Sequence, residues 1–78
     1  MTLRMGHNAE SVSQELHLLQ QQYPGTLYLE LEAGVNGTVA TVRNRYGGES
    51  DSFYLRKVDV TSAAMTLAAR GHKVKIVP

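Results

Sequence analysis

The chain has no cysteine and no apolar run long enough to span a bilayer. Without cysteine it can form neither a disulfide nor a thiolate zinc site, which are the usual supports of small domains. At 78 residues it is expected to be one domain with a core that is only just sufficient. The first residues, Met1 to His7, lack the apolar region of a signal peptide, and together with the missing cysteine this favours a cytoplasmic location.

Charge is also scarce, but it is unevenly placed. Arg4 is the only cation against four glutamates in residues 1–42, whereas seven cations accompany three acids in residues 43–78. Such an imbalance is typical of complementary halves within a fold or an oligomer, and also of a basic patch for nucleic acid. We favour the first interpretation, because most surface charge is merely solvated.

A helix is predicted from Asn8, a good N-cap, to the Tyr23-Pro24-Gly25 stop. Its apolar residues recur at helical spacing and form one narrow stripe: Ala9, Val12, Leu16, Leu19 and Tyr23. Leu18 lies about half a turn from that stripe. It is either a lone exposed leucine or a contact in an oligomer or with a partner.

Three alternating segments follow between residues 26 and 58, separated by Asn36-Gly37 and Gly47-Gly48. Asn-Gly is the preferred pair of a two-residue hairpin loop, and it would set Val35 against Thr38. The same register places Glu30 opposite Arg43 as an ion pair and Tyr28 opposite Arg45 as a candidate cation–π pair. The second hairpin would pair Val42 with Phe53. An antiparallel meander with one apolar face is therefore predicted.

A short helix from Asp59 or Thr61 to Arg70, then a strand over residues 72–77, complete the predicted order α-β-β-β-α-β. The fold class is thus α+β: a flexible start over residues 1–7 and one two-layer domain over residues 8–78, with both helices on one face of the sheet. The last strand should run parallel to the third, beside either the third or the first. The predicted core is Leu29, Leu31, Val42, Phe53, Leu55, Leu67 and Ile76.

The order α-β-β-β-α over residues 8–70 resembles the double-stranded RNA-binding domain. That family grips phosphates with a lysine cluster at the start of its second helix. Here the corresponding segment is Asp59-Val60-Thr61-Ser62-Ala63-Ala64, which has one acid and no base. The resemblance is therefore one of element order and does not carry the RNA-binding motif.

No residue pattern indicates an enzyme, a metal site or a cofactor. Glu30 and Glu32 point the same way on one strand, at a separation that inverting glycosidases use, but an open sheet face offers no catalytic cleft. His7, His17 and His72 are scattered and lack the spacing of metal ligands. Gly47-Gly48-Glu49-Ser50 lacks the lysine of a phosphate-binding loop. We therefore expect a non-enzymatic protein without cofactor or metal.

The uncovered sheet face carries tyrosines and arginines, which protein interfaces favour. The candidate partner-binding residues are Tyr28, Arg43, Arg45, Tyr54, Arg56 and, on the first helix, Leu18. We expect a small protein-interaction module that acts as a homo-oligomer and regulates or inhibits another protein by occluding it, such as an antirepressor or anti-defence protein of a mobile element or phage. The alternative is weak nucleic-acid binding through the basic residues Arg43, Arg45, Arg56, Lys57, Lys73 and Lys75. No membrane association is expected.

Overall fold

The computed structural model describes residues 3–78, apart from the side chains of Glu49 and Ser50. Its elements are, in chain order, β1 (Leu3–His7), α1 (Ala9–Gln22), β2 (Leu27–Gly34), β3 (Gly37–Asn44), β4 (Glu49–Arg56), α2 (Val60–Ala69) and β5 (Val74–Ile76). The strands form one mixed sheet in the order β1-β4-β3-β2-β5. The helices cover one face of this sheet, so the predicted α+β architecture with the order α-β-β-β-α-β is confirmed.

The two outer strands lie parallel to their neighbours, β1 beside β4 and β5 beside β2. The position of β5, which the sequence left open, is thus beside the first strand of the meander. Residues 3–7 were expected to be a flexible start, but they pair with β4 as a fifth strand. Met1 and Thr2 lie outside the described residues.

The register of the meander differs by two residues from the predicted one. Gly34 pairs with Gly37 and Leu29 pairs with Val42, so Val35 and Asn36 form the hairpin loop. Asn36 takes the left-handed conformation there, with φ of 56°. A shift of two preserves which side chains face the core, since the side-chain period of a strand is two. The predicted faces are therefore correct although the predicted pairs are not.

The observed register requires glycine at position 37. A Cβ built on Gly37 would lie 2.3 Å from the carbonyl oxygen of Leu55 on β4. The residue is thus needed as glycine inside the sheet, where two backbones approach closely, rather than at a turn position with positive φ.

The core lies between the sheet and the two helices. The buried apolar residues are Val12, Leu16, Leu27, Leu29, Leu31, Ala40, Val42, Phe53, Leu55, Ala63 and Leu67. Of the predicted core, only Ile76 is misplaced, because it lies on the edge strand β5 and is 50% exposed. The helices begin as predicted, with Asn8 and Ser11 forming a capping box for α1 and the Asp59 side chain accepting a hydrogen bond from Ser62 N–H at α2.

Candidate functional site

The open face is the side of the sheet opposite the helices. One row of its side chains runs across all five strands: Leu3, Ser52, Thr41, Glu30 and Lys75. A hydrogen bond of 3.1 Å joins the hydroxyls of Thr41 and Ser52 within that row. The open face is therefore a continuous surface built from every strand.

Arg43 and Tyr54, two of the predicted binding residues, are engaged within the protein. The Nε of Arg43 donates to the carboxylate of Glu30 at 3.0 Å, which confirms the predicted ion pair, although Arg43 is level with Tyr28 rather than Glu30. Arg43 also donates to the carbonyl of Gly47 at 3.0 Å. The hydroxyl of Tyr54 donates to the carbonyl of Val35. Both side chains thus stabilise the hairpins of the meander.

Tyr28 and Arg45 lie together at a groove where the open face meets the edge strand. The β5 groove, as we define it, has a volume of about 420 Å³ and is lined by Thr26, Tyr28, Arg45, Lys73, Val74 and Lys75. Arg45 does not pair with Tyr28 as predicted. It stacks on Tyr46, with its guanidinium carbon 4.8 Å from the ring centroid. Tyr46 is 77% exposed, so an aromatic surface lies beside the groove.

The described side chains leave the cations of this groove without an ion-pair partner. Among the described side chains, only Arg4, Arg43 and Arg70 have a carboxylate within 4.0 Å. Five cations lack one: Arg45, Arg56, Lys57, Lys73 and Lys75. Three of the five line the β5 groove, which has no acid in its lining. The groove is therefore suited to an anionic group.

The remaining predicted binding residues lie elsewhere. Arg56 is level with Gly37, at the opposite end of β3 from Arg45, and lines a second groove together with Lys57. Leu18 lies on α1, in the helical layer, and is 54% exposed. At the β5 groove the structure thus brings together Tyr28 and Arg45 from the predicted binding set, with Lys73 and Lys75 in the lining and Tyr46 beside it.

Sequence reasoning missed Tyr46 as a site residue and placed Lys73 and Lys75 only in the nucleic-acid alternative. The available signal was the alternation of lysine with Val74 and Ile76, which marks one face of a strand. The sequence did not show which strand is the neighbour of β5. Because β5 pairs with β2, the two lysines lie near Tyr28.

His17 and His72 form a separate pair on the helical side. Nε2 of His72 lies 2.6 Å from the hydroxyl of the buried Ser13, and the rings of His72 and His17 are 4.6 Å apart. Burial lowers the pKa of His72 below its ordinary value of 6.5, and the nearby His17 and Arg70 lower it further. Within the described part of the chain, no three histidine, aspartate or glutamate side chains converge as metal ligands.

No family model matches the chain, and neither a curated protein nor a solved structure matches it. Among the described helices, none is both long and apolar enough to cross a membrane.

Proposed function

We propose that this protein is a non-enzymatic protein-interaction module that acts as an oligomer and regulates or inhibits a partner protein by occluding it. The observation that carries the proposal is the convergence of Tyr28, Arg45 and Tyr46 at one end of the open face. Tyrosine and arginine are the residue types in which the binding energy of protein interfaces is concentrated. A repressor or a defence complex that a mobile element must disable is the kind of target we favour, and a cytoplasmic location is proposed with it.

The test begins with cross-linking in the native host and mass spectrometry to identify the partner. The purified partner is then titrated with the wild-type protein and with the double variant Tyr28→Ala, Arg45→Ala. We expect the variant to keep the wild-type circular dichroism and to lose most of its binding, because both side chains are on the surface opposite the core. Arg70→Ala is the matched control, since Arg70 is an exposed arginine that contacts Glu10 on the helical side. Full binding by the folded double variant would contradict this placement and move the interface toward Leu18.

Weak nucleic-acid binding is the second candidate, and the five cations without a carboxylate partner are the observation that favours it. Three of them line the β5 groove and two, Arg56 and Lys57, line the second groove, so a bound nucleic acid would have to extend along the sheet to reach both. Binding through phosphates weakens steeply as salt concentration rises, because counterions are released. A steep salt dependence with single-stranded or duplex DNA or RNA, without a protein partner, would favour this function.

A further inference from the structure

The edge strand β5 leaves one row of backbone groups without a neighbouring strand. On its inner side, the carbonyl of Lys73 accepts from Leu29 N–H at 2.8 Å, and Val77 N–H donates to the carbonyl of Leu31 at 2.8 Å. Alternate residues of a strand direct their backbone groups to opposite edges. The N–H and C=O groups of Val74 and Ile76 therefore point away from β2, where they can pair with another extended segment.

The two faces of β5 differ in chemistry. Lys75 is level with Glu30 on the open face, and Lys73 shares that face because it is two residues away. Val74 and Ile76 are level with the core residues Leu29 and Leu31, and Ile76 leaves half of its surface uncovered. A segment added to this edge would meet positive charge on one side and an apolar side chain on the other.

A second copy of this chain is poorly suited to supply the negative charge. Most described carboxylates already have partners within the protein: Glu10, Glu15, Glu30, Asp51 and Asp59. Glu30, the acid nearest to Lys75 in register, is held by Arg43 at 3.0 Å. The acidic groups that match Lys73, Lys75 and Arg45 should therefore come from a different molecule.

We propose that the β5 edge binds an extended segment of a partner protein in which acidic and apolar residues alternate, and that this segment adds to the sheet as a sixth strand. The proposal rests on the proposed function, since it names the chemistry of the partner. Successive acidic residues on one face of such a strand would be about 7 Å apart, the same spacing as Lys73 and Lys75. Backbone pairing would supply affinity, and the alternating side chains would supply specificity.

Lysines on an edge strand also discourage aggregation between sheets. That role explains neither the position of Arg45 and Tyr28 at the same groove nor the exposure of Ile76. Nucleic acid would use the cations and the ring of Tyr46, but it would make no use of the outward backbone groups of Val74 and Ile76. These groups therefore distinguish an added strand from a bound nucleic acid.

The test uses a fluorescently labelled peptide of alternating glutamate and valine, titrated against the full chain by fluorescence anisotropy. The double variant Lys73→Glu, Lys75→Glu should bind it roughly tenfold or more weakly, because the charge opposite the glutamates is reversed. The matched control is Arg56→Glu, Lys57→Glu, which makes the same change in net charge at the second groove. A peptide of the same composition with its glutamates and valines in separate blocks should bind weakly to every form. Equal losses in the two double variants would overturn the proposal, since they would indicate a general charge effect.

The backbone contribution is tested by Ile76→Pro against Ile76→Ala. Proline at position 76 removes only an N–H that points away from β2, and edge strands tolerate it. We expect Ile76→Pro to keep the wild-type circular dichroism and to weaken peptide binding roughly tenfold relative to Ile76→Ala, because an inter-chain hydrogen bond is lost and the ring obstructs the edge. Equal binding by the two variants would overturn strand addition. Oligothymidylate that binds more tightly than the peptide, and equally to both variants, would assign the groove to nucleic acid instead.

Failure of this proposal can be distinguished from failure of the proposed function. If the identified partner is lost in the Tyr28→Ala, Arg45→Ala variant but is bound normally by Ile76→Pro, the protein is an interaction module whose partner does not add a strand. If the chain binds no protein partner at all, the proposed function fails with it.

Discussion

Leu31 is the residue on which the packing of the sheet against the helices can be tested most directly. It is fully buried, in the middle of β2, and has neighbours in both β3 and β5. Leu31→Ala should lower the free energy of unfolding by about 2–5 kcal/mol, because it removes buried apolar surface and leaves a cavity. Denaturant unfolding measures the change.

Ile76→Ala is the matched control for Leu31→Ala. Ile76 is level with Leu31 on the neighbouring strand, but half of its surface is exposed. Ile76→Ala should therefore lower the free energy of unfolding by considerably less than Leu31→Ala. Equal losses at both positions would contradict the arrangement of β2 inside and β5 at the edge.

Gly37 tests the register of the meander. Since a Cβ at this position would lie 2.3 Å from the Leu55 carbonyl oxygen, Gly37→Ala should force β3 and β4 apart and cost about 1–3 kcal/mol. Gly25→Ala is the control, because a Cβ there would meet its nearest neighbour, Tyr23 Cε1, at an ordinary 3.7 Å. Were Gly37 at a turn position in the predicted register, substitution would leave the hydrogen exchange of the β3–β4 pairs unchanged.

At the scale of elements, a hydrogen bond joins α1 to the segment that leads into β5. The hydroxyl of Ser13 on α1 meets Nε2 of His72, which follows α2 and precedes β5. Ser13 is buried, and the rings of His17 and His72 are in contact beside it. The ionisation of His72 is therefore coupled to the packing of α1 against the end of α2.

Stability should depend on pH through this contact. Since burial lowers the pKa of His72 below 6.5, the folded protein binds this proton less readily than the unfolded chain. Neutral His72 therefore contributes to the free energy of unfolding above pH 6.5. This contribution is lost as the pH falls from 6.5 toward the lowered pKa of His72 in the folded protein. Denaturant unfolding between about pH 8 and pH 5.5 should show this decline, and His72→Gln should make it shallower. His7→Gln is the matched control, because His7 also contacts a serine hydroxyl, that of Ser11.

The three central strands and both helices could be predicted because their signals are local. Alternation, caps and stop residues are properties of neighbouring residues, and they identified the core face of each strand correctly. β1 could not be predicted in this way. It contains Gly6 with φ of 78°, its register shifts after Arg4, and its residues are mostly exposed. Pairing with β4 makes it a strand, and that pairing joins residues about fifty positions apart.

At the scale of the whole molecule, the flank formed by β1 exposes apolar side chains. Leu3 is 49% exposed and lies level with Ser52 on the open face, and Met5 is 65% exposed two residues later. Small domains gain stability by burying such edges against a second copy. We therefore expect the protein to be at least a dimer at micromolar concentration, as measured by light scattering.

The variant Met5→Lys should shift this equilibrium toward the monomer of 8.6 kDa, because a charge on an edge strand opposes pairing. Met65→Lys is the matched control, since Met65 is a methionine of similar exposure, 69%, that lies on α2 in the helical layer. A wild-type protein that is monomeric throughout the micromolar range would rule out the oligomer. An identical shift in both variants would place the contact elsewhere than β1.

The candidate site shows the same division between local and long-range information. Tyrosine and arginine on the open face were identified from alternation alone. Two of their actual contacts join segments that are apart in the chain: Arg43 reaches Glu30 on β2, and Tyr54 reaches the Val35 carbonyl in the hairpin loop. A pattern within one strand shows which way a side chain points, but it does not show which side chains from other strands lie beside it.

The amino-acid sequence by itself determined the order of the helices and central strands, their capping residues and the side chains that face the core, because these follow from the periods of helix and strand. The tertiary structure alone decided the two-residue register, the strand state of β1 and the place of β5 beside β2. The physical reason is that a shift of two residues leaves every face unchanged, so only contacts between distant backbones, such as Gly37 against Leu55, distinguish the alternatives. The β5 groove belongs to the second group, since its cations come from strands that are separate in the chain and meet only in the folded sheet.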